Sequence, residues 1–207
     1  MKDLALLIID VQKAIDHPKW GTRNNLHMED NIARLLDVWR HNELSIIHVR
    51  HDSTESESPY RPGQEGNEFK PQVAPRDDET IVVKRVSSAF IGTSLKTVLS
   101  QRGIKDVFVT GVVTNYCVDA TVRVGSNLGF NMYTVSDGTS TFGLNDWNGN
   151  EHDADTIHAI SLANLHGEYG EVLTTDEVIE KVKHNQGLQI DAAVASRLSP
   201  SVLLTEI

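Results

Sequence analysis

The stretch Val107-Phe108-Val109-Thr110-Gly111-Val112-Val113-Thr114-Asn115-Tyr116-Cys117-Val118 decides how this chain is read. A β-branched apolar run ends at a glycine, a short turn follows, and a helical pattern begins near Cys117, the single cysteine of the chain. A thiol at the start of a helix sits beside free backbone N–H groups and the positive end of the helix dipole. Both favour thiolate, the form that attacks carbon. Cys117 is therefore a candidate nucleophile, although a lone buried cysteine is also commonly an inert small hydrophobe.

The pattern continues on both sides. Leu4 to Ile9 is an unbroken apolar run, as in a strand buried on both faces, and it stops at Asp10. Glu29 to Asn42 has helical spacing, with Ile32, Leu35, Leu36 and Trp39 on one face. Ser45 to Val49 is strand-like, His51 to Asp78 reads as a long loop rich in Ser, Pro, Gly and charge, and Thr80 to Val83 is a strand that ends at Lys84. Thr93 to Arg102 reads as a helix capped by Gly103, Asp106 to Val113 as a strand, and Cys117 to Leu128 as a helix capped by Gly129. Asn131 to Val135 is a strand ending at Ser136-Asp137-Gly138. Asp153 to His166 and Thr175 to His184 are helical, with a short strand at Glu171 to Leu173 between them.

Strands alternating with helices predict an α/β fold: a three-layer α/β/α sandwich around a mostly parallel, Rossmann-like sheet of roughly six strands. Residues 1–187 read as a single domain. Residues 188–207 read as a moderately apolar C-terminal extension, docked on the body or on a neighbouring subunit.

Bulk composition narrows the function. The chain has 207 residues and a formal net charge of -10, which disfavours nucleic acid and anionic membranes as partners and says little about a small substrate, which feels local charge more than net charge. One cysteine can form neither an intrachain disulfide nor a cysteine zinc cluster, which suits a reducing compartment. The apolar run at the N-terminus is too short for a signal peptide, and no window approaches a membrane span. The expected location is cytoplasmic.

Ligands of an open parallel sheet bind outside the carboxyl ends of its strands. Asp10, Lys84 and Cys117 each follow a strand, so an acid, an amine and a thiol meet at one edge. Taken singly, Asp10 is also a turn cap and Lys84 a surface cation. Their coincidence points to catalysis.

These segments resemble the isochorismatase-like superfamily of cysteine hydrolases, in its amidohydrolase branch. The matching pieces are Leu6-Leu7-Ile8-Ile9-Asp10-Val11-Gln12, Val83 to Leu95, Gly111 to Arg123 and, more weakly, Ser136-Asp137-Gly138-Thr139, in the family's order. The resemblance implies a catalytic triad of Asp10, Lys84 and Cys117. It also implies an oxyanion hole from the backbone N–H groups of Val113 and Cys117, and a cis peptide at Val112–Val113. The implied reaction is hydrolysis of a C–N bond in a small amide, carbamoyl or ureido compound through a thioester, without a cofactor. An isochorismatase-type or nicotinamidase-type hydrolase, or a catalytically idle binding subunit of the same fold, remains the alternative. Motif position suggests Ile15, Phe90 and Tyr116 as pocket walls, with core packing the other reading of Ile15 and Phe90. The long loop contains Arg61 and Gln64, side chains able to reach a carboxylate or amide on a substrate, with an oligomer contact the other reading of that loop. The nicotinamidase branch carries a metal after the second strand. Here His48, His51 and Asp52 fall in that region but lack its Asp-x-His spacing, so no metal is expected. Relatives are commonly dimers or tetramers, so a homo-oligomer is expected.

Overall fold

In the computed structural model, residues 3–186 are described. In chain order the elements are β1 (Leu4–Ile9), α1 (Met28–His41), β2 (Ser45–His51), β3 (Thr80–Lys84), α2 (Leu95–Gln101), β4 (Asp106–Val112) and α3 (Asp119–Asn127). They continue with β5 (Asn131–Ser140), β6 (Leu144–Asn145), β7 (Glu151–His152), α4 (Ala154–Leu165), β8 (Glu171–Leu173) and α5 (Thr175–Gln186).

The apolar run of β1 is central because both of its faces have something to bury against. Leu4, Leu6 and Ile8 pack with Ile32, Leu35, Leu36 and Trp39 of α1 and with Val178 and Val182 of α5. Ala5, Leu7 and Ile9 pack with Leu95 and Leu99 of α2, Val122 of α3 and Leu165 of α4. Burying each large aliphatic side chain contributes about 1.5–3 kcal/mol, so the alternation along one strand secures both helical layers. This is the expected three-layer α/β/α architecture.

Six strands form one parallel sheet in the order β3-β2-β1-β4-β5-β8. The chain builds outward from β1 to β3, then returns to lay β4 on the other side of β1. Connections on the two sides of that point diverge, so a crevice opens beyond the carboxyl ends of β1 and β4. Gly111 allows these two strands to approach there. Its φ is +107°, and a Cβ at this position would lie 2.1 Å from the Ile9 carbonyl oxygen. No side chain fits, which makes this glycine a steric requirement of the crevice floor.

The structure departs from the expected elements in three places. Cys117 is not in the first turn of an α-helix: Thr114–Val118 form a single π-type turn, and α3 begins at Asp119. Strand β5 does not stop at Val135 but runs to Ser140. A register shift against β4 absorbs the Ser136-Asp137-Gly138 turn signal, and Thr139 and Ser140 then pair with Gly111 and Val112. Beyond it, β6 and β7 form a small antiparallel ribbon of two residues per strand, too short to leave a periodic signal. The tail 188–207 lies outside the described residues. Among the described residues, no helix is long and apolar enough to cross a membrane.

The long connection from β2 to β3 is pinned from within. The Asn67 side chain donates to the carbonyls of His51 (3.0 Å) and Tyr60 (2.8 Å) and to Asp52 Oδ1 (3.1 Å). At its far end, Glu79 accepts from Arg40 Nε (2.6 Å), from His48 Nε2 (2.8 Å) and from the Arg76 backbone N–H (3.0 Å). Burial opposes the Glu79 charge, but these donors outweigh it and hold the carboxyl down at about 2. A depressed carboxyl stabilises the fold above its ordinary value of 4.5, and that contribution is lost as pH falls from there towards about 2. We expect Glu79→Ala to cost roughly 2 kcal/mol at neutral pH, since it leaves the partly buried Arg40 guanidinium without its carboxylate. Urea unfolding should show the gap to wild type closing as pH falls through that window; a gap independent of pH contradicts the assignment.

Candidate active site

The three strand ends converge as the topology requires. Asp10 leaves β1 in the left-handed region at φ 55°, with its N–H donating to the Val49 carbonyl (3.0 Å). This turns the carboxylate back over the crevice floor, where the residue is 3% exposed. Lys84 ends β3, which lies two strands away from β1. Two strand spacings are roughly 10 Å, a gap that a lysine stem spans. Its Nζ reaches Asp10 Oδ2 at 2.7 Å and Cys117 Sγ at 3.2 Å. It also reaches His51 Nδ1 at 3.1 Å and the Val86 carbonyl at 3.2 Å. His51 ends β2, the strand between, and stands directly opposite Lys84 in the ladder.

Cys117 is presented by the π-type turn. The Val113 carbonyl accepts from the N–H groups of Tyr116 (3.0 Å) and Val118 (3.2 Å), and the Val112–Val113 peptide is cis. The cysteine is thus tied to the end of β4, beside the Asp10 turn.

Charge is distributed in a way the linear pattern does not suggest. Burial and the neighbouring Asp10 carboxylate push the Cys117 thiol up to about 12, with Lys84 only partly offsetting them. At neutral pH the resting group is a thiol, not the thiolate that a helix N-terminus alone would favour. Burial also raises Asp10 above its ordinary 3.8 despite Lys84. For Lys84, burial works against the charge, but Asp10 and Cys117 together hold the ammonium above its ordinary value. The arrangement is therefore an ion pair beside a protonated thiol, with burial making the carboxylate more basic than an exposed one.

Above these groups lies a cavity of about 410 Å³. Trp20, Tyr60 and Phe142 form its aromatic wall, with ring centroids 6.4 Å (Trp20–Tyr60) and 6.1 Å (Trp20–Phe142) apart. Tyr116, expected here, lines it too and is half exposed. Ile15 and Phe90 do not. The short helical turn Lys13–Asp16 directs Ile15 into the core beneath α1, and Phe90 stacks on Phe130 at 5.7 Å on the opposite side of the sheet. Arg61 and Gln64 also turn away, donating to the carbonyls of Ser56 and Ser58 within their own loop. Sequence reasoning missed Trp20, Tyr60 and Phe142. All three sit in connections without periodicity, and Phe142 could be placed only by knowing that β5 runs on to Ser140.

The residues after β2 do not fit a metal. His48 is in the strand interior, with Nε2 committed to Glu79. His51 turns Nδ1 to an ammonium, and Asp52 is held by Arg50 (2.9 Å) and Asn67. Among the described residues, no group of three or more His, Cys, Asp or Glu side chains is arranged so that it could hold a metal ion; Asp10, His51 and Cys117 converge instead on the Lys84 ammonium.

A family model described as Isochorismatase domain matches residues 4–177, from the first residue of β1 into α5. The chain belongs to the isochorismatase family of hydrolases. An uncharacterised isochorismatase family protein, YrdC of Bacillus subtilis, is 46% identical over 175 residues, covering 84% of this chain and 94% of that protein. The crystal structure of a putative hydrolase of the isochorismatase family from Chromobacterium violaceum superposes with a TM-score of 0.86 at 46% identity, over 89% of this chain and 95% of that one. Nicotinamidase 3 of Arabidopsis thaliana is 29% identical, covering 79% of this chain and 81% of its own. The isochorismatase match spans every strand of the main sheet and all three strand ends at the crevice.

The charge pattern has a measurable consequence. Asp10→Asn removes the anion that disfavours thiolate and leaves Lys84 facing the sulfur alone. Alkylation of Cys117 by iodoacetamide at fixed neutral pH should then accelerate by about tenfold or more, one unit of thiol pKa. An unchanged rate would show that Asp10 does not govern the thiol, and a slower one that its service as proton acceptor outweighs its charge.

Proposed function

We propose that this chain is a cysteine hydrolase that cleaves the C–N bond of a small amide, carbamoyl or ureido compound. One observation carries the reading: a single buried ammonium, Lys84 Nζ, touches both the Asp10 carboxylate and the Cys117 sulfur at the base of an aromatic-walled cavity. The relative named Nicotinamidase 3 supports amide chemistry within this family.

The chemistry follows from the protonation states. Asp10 accepts the thiol proton, and the resulting thiolate attacks the carbonyl carbon, so the S–C bond forms and the carbonyl π pair moves onto oxygen. We assign the backbone N–H groups of Val113 and Cys117 as the donors that hold this oxyanion. Lys84 remains an ammonium throughout, and its charge passes from balancing the carboxylate to balancing the sulfur. The tetrahedral species collapses, the C–N bond breaks, and Asp10 returns its proton to the departing nitrogen. Water then adds to the thioester and gives a proton to Asp10. The S–C bond breaks, the acid product leaves, and Cys117 regains its proton. The sum is amide plus water to acid plus amine or ammonia. A raised Asp10 pKa makes that carboxylate a stronger base and, once protonated, a competent acid. The cavity volume suits a small substrate, and the Trp20, Tyr60 and Phe142 rings suit a flat or apolar acyl group.

Ammonia release from a panel of small primary amides and ureido compounds tests the reading directly. Cys117→Ala and Cys117→Ser should lose turnover by about 10³-fold or more while keeping the fold, since alanine has no nucleophile and a serine hydroxyl is a far weaker one than the thiol. Wild-type turnover in Cys117→Ala would refute the mechanism, and would favour hydrolysis that needs no cysteine. Activity requires ionised Asp10, so kcat/KM should fall with decreasing pH through a limb lying above 3.8, the ordinary aspartate value.

A further inference from the structure

We infer that His51 is a positioning residue of the site: from the lining of the cavity its Nδ1 anchors the Lys84 ammonium, so that Nζ stays in place when the sulfur becomes an anion. The inference rests on the cysteine-hydrolase reading and assigns a role to a side chain outside the Asp-Lys-Cys set.

The argument begins with a count of donors. An ammonium has three N–H bonds. Lys84 Nζ has four acceptors around it: Asp10 Oδ2 (2.7 Å), His51 Nδ1 (3.1 Å), the Val86 carbonyl (3.2 Å) and Cys117 Sγ (3.2 Å). In the resting site the sulfur keeps its own proton and makes the least demand, so the other three acceptors take the three N–H bonds. Proton transfer from Cys117 to Asp10 reverses the ranking. The sulfur becomes the anion, and the neutral Asp10 becomes the weaker acceptor. One N–H then passes from Asp10 to sulfur, while the bonds to His51 and the Val86 carbonyl persist. Those two contacts hold Nζ during the exchange. Val86 contributes a backbone oxygen; His51 contributes the side chain.

His51 is built for a fixed role. Its backbone N–H donates to Gln12 Oε1 (2.8 Å), and its carbonyl accepts from Gln12 Nε2 (3.2 Å) and Asn67 Nδ2 (3.0 Å). Its ring lies edge-on to Tyr60 with centroids 5.7 Å apart. An ammonium can only donate, so Nδ1 is unprotonated and the neutral ring carries its proton on Nε2. The groups around the imidazole are Asp10 from β1, Lys84 from β3, Cys117 from the turn before α3, Tyr60 from the long loop, and the adjacent Asp52. Burial and the Lys84 charge bring His51 down to about 4, so the ring keeps its lone pair across the neutral range.

The test compares acceptor with shape. His51→Leu removes the acceptor, and His51→Asn offers an amide oxygen close to the position of Nδ1. Iodoacetamide alkylation of Cys117 at fixed neutral pH reports how well Lys84 stabilises the thiolate, independently of any substrate. His51→Leu should slow alkylation by about tenfold or more, and kcat on a turned-over amide by a similar factor with KM little changed; a hydrogen bond to a charged group is worth that much. His51→Asn should recover most of both. If His51→Leu fails to fold, His51→Phe, which keeps a ring against Tyr60 but has no acceptor, replaces it. Wild-type or faster alkylation in the Leu or Phe variant would overturn the inference. So would an Asn variant as impaired as the Leu variant while Phe retains activity, because packing against Tyr60 would then be the role of the ring. Retained turnover in Cys117→Ala would defeat the cysteine-hydrolase reading instead, and leaves the alkylation comparison on the other variants intact.

Discussion

The buried ammonium of Lys84 is the constraint around which the site is arranged. A lysine charge removed from water costs several kcal/mol unless it is paired and hydrogen-bonded. Here the pairing partner comes from β1, the neutral anchor from β2 and the sulfur from beyond β4, while the lysine itself ends β3. The compensation exists only if all four parallel strands end at the same level. Sheet order, strand length and the close approach at Gly111 are therefore also conditions on the electrostatics of the crevice.

That arrangement sets the division of labour between the three charged or reactive groups. Isolating the thiol from water raises its pKa, and a nearby carboxylate raises it further. The same burial makes the carboxylate a better base. The site therefore stores its reactivity as a proton that has a short way to go, rather than as a standing thiolate. A resting thiol is also less exposed to oxidation than a thiolate would be. The aromatic side chains of Trp20, Tyr60 and Phe142 line the same space and lower the polarity around the charges beneath it.

Specificity and chemistry come from different parts of the chain. The groups at the base of the cavity are on strand ends or the turn directly after one, held by the sheet. The walls come from connections: Trp20 between β1 and α1, Tyr60 between β2 and β3, Phe142 after β5. Connections tolerate change better than buried strands do, and a fold that carries its reactive groups on strand ends can host different small substrates through such walls.

Much of this was legible in the linear sequence. The apolar run Leu4 to Ile9 and the β-branched run before Gly111 determine buried parallel strands, because such runs are stable only when covered on both faces. Strand ends in a parallel sheet share one edge, so Asp10, Lys84 and Cys117 could be brought together by topology alone. The tertiary structure decided what depends on distance in three dimensions. It placed His51 against Lys84, since cross-strand register has no trace in a single strand's pattern. It extended β5 through a turn-like triplet, because pairing with β4 outweighs local preference. It sent Ile15 and Phe90 into the core and brought Trp20, Tyr60 and Phe142 to the cavity, as irregular connections carry no period from which orientation can be read. And it reversed the expected state of the cysteine, because a pKa is set by burial and neighbouring charge, both of which arise only when the chain has folded.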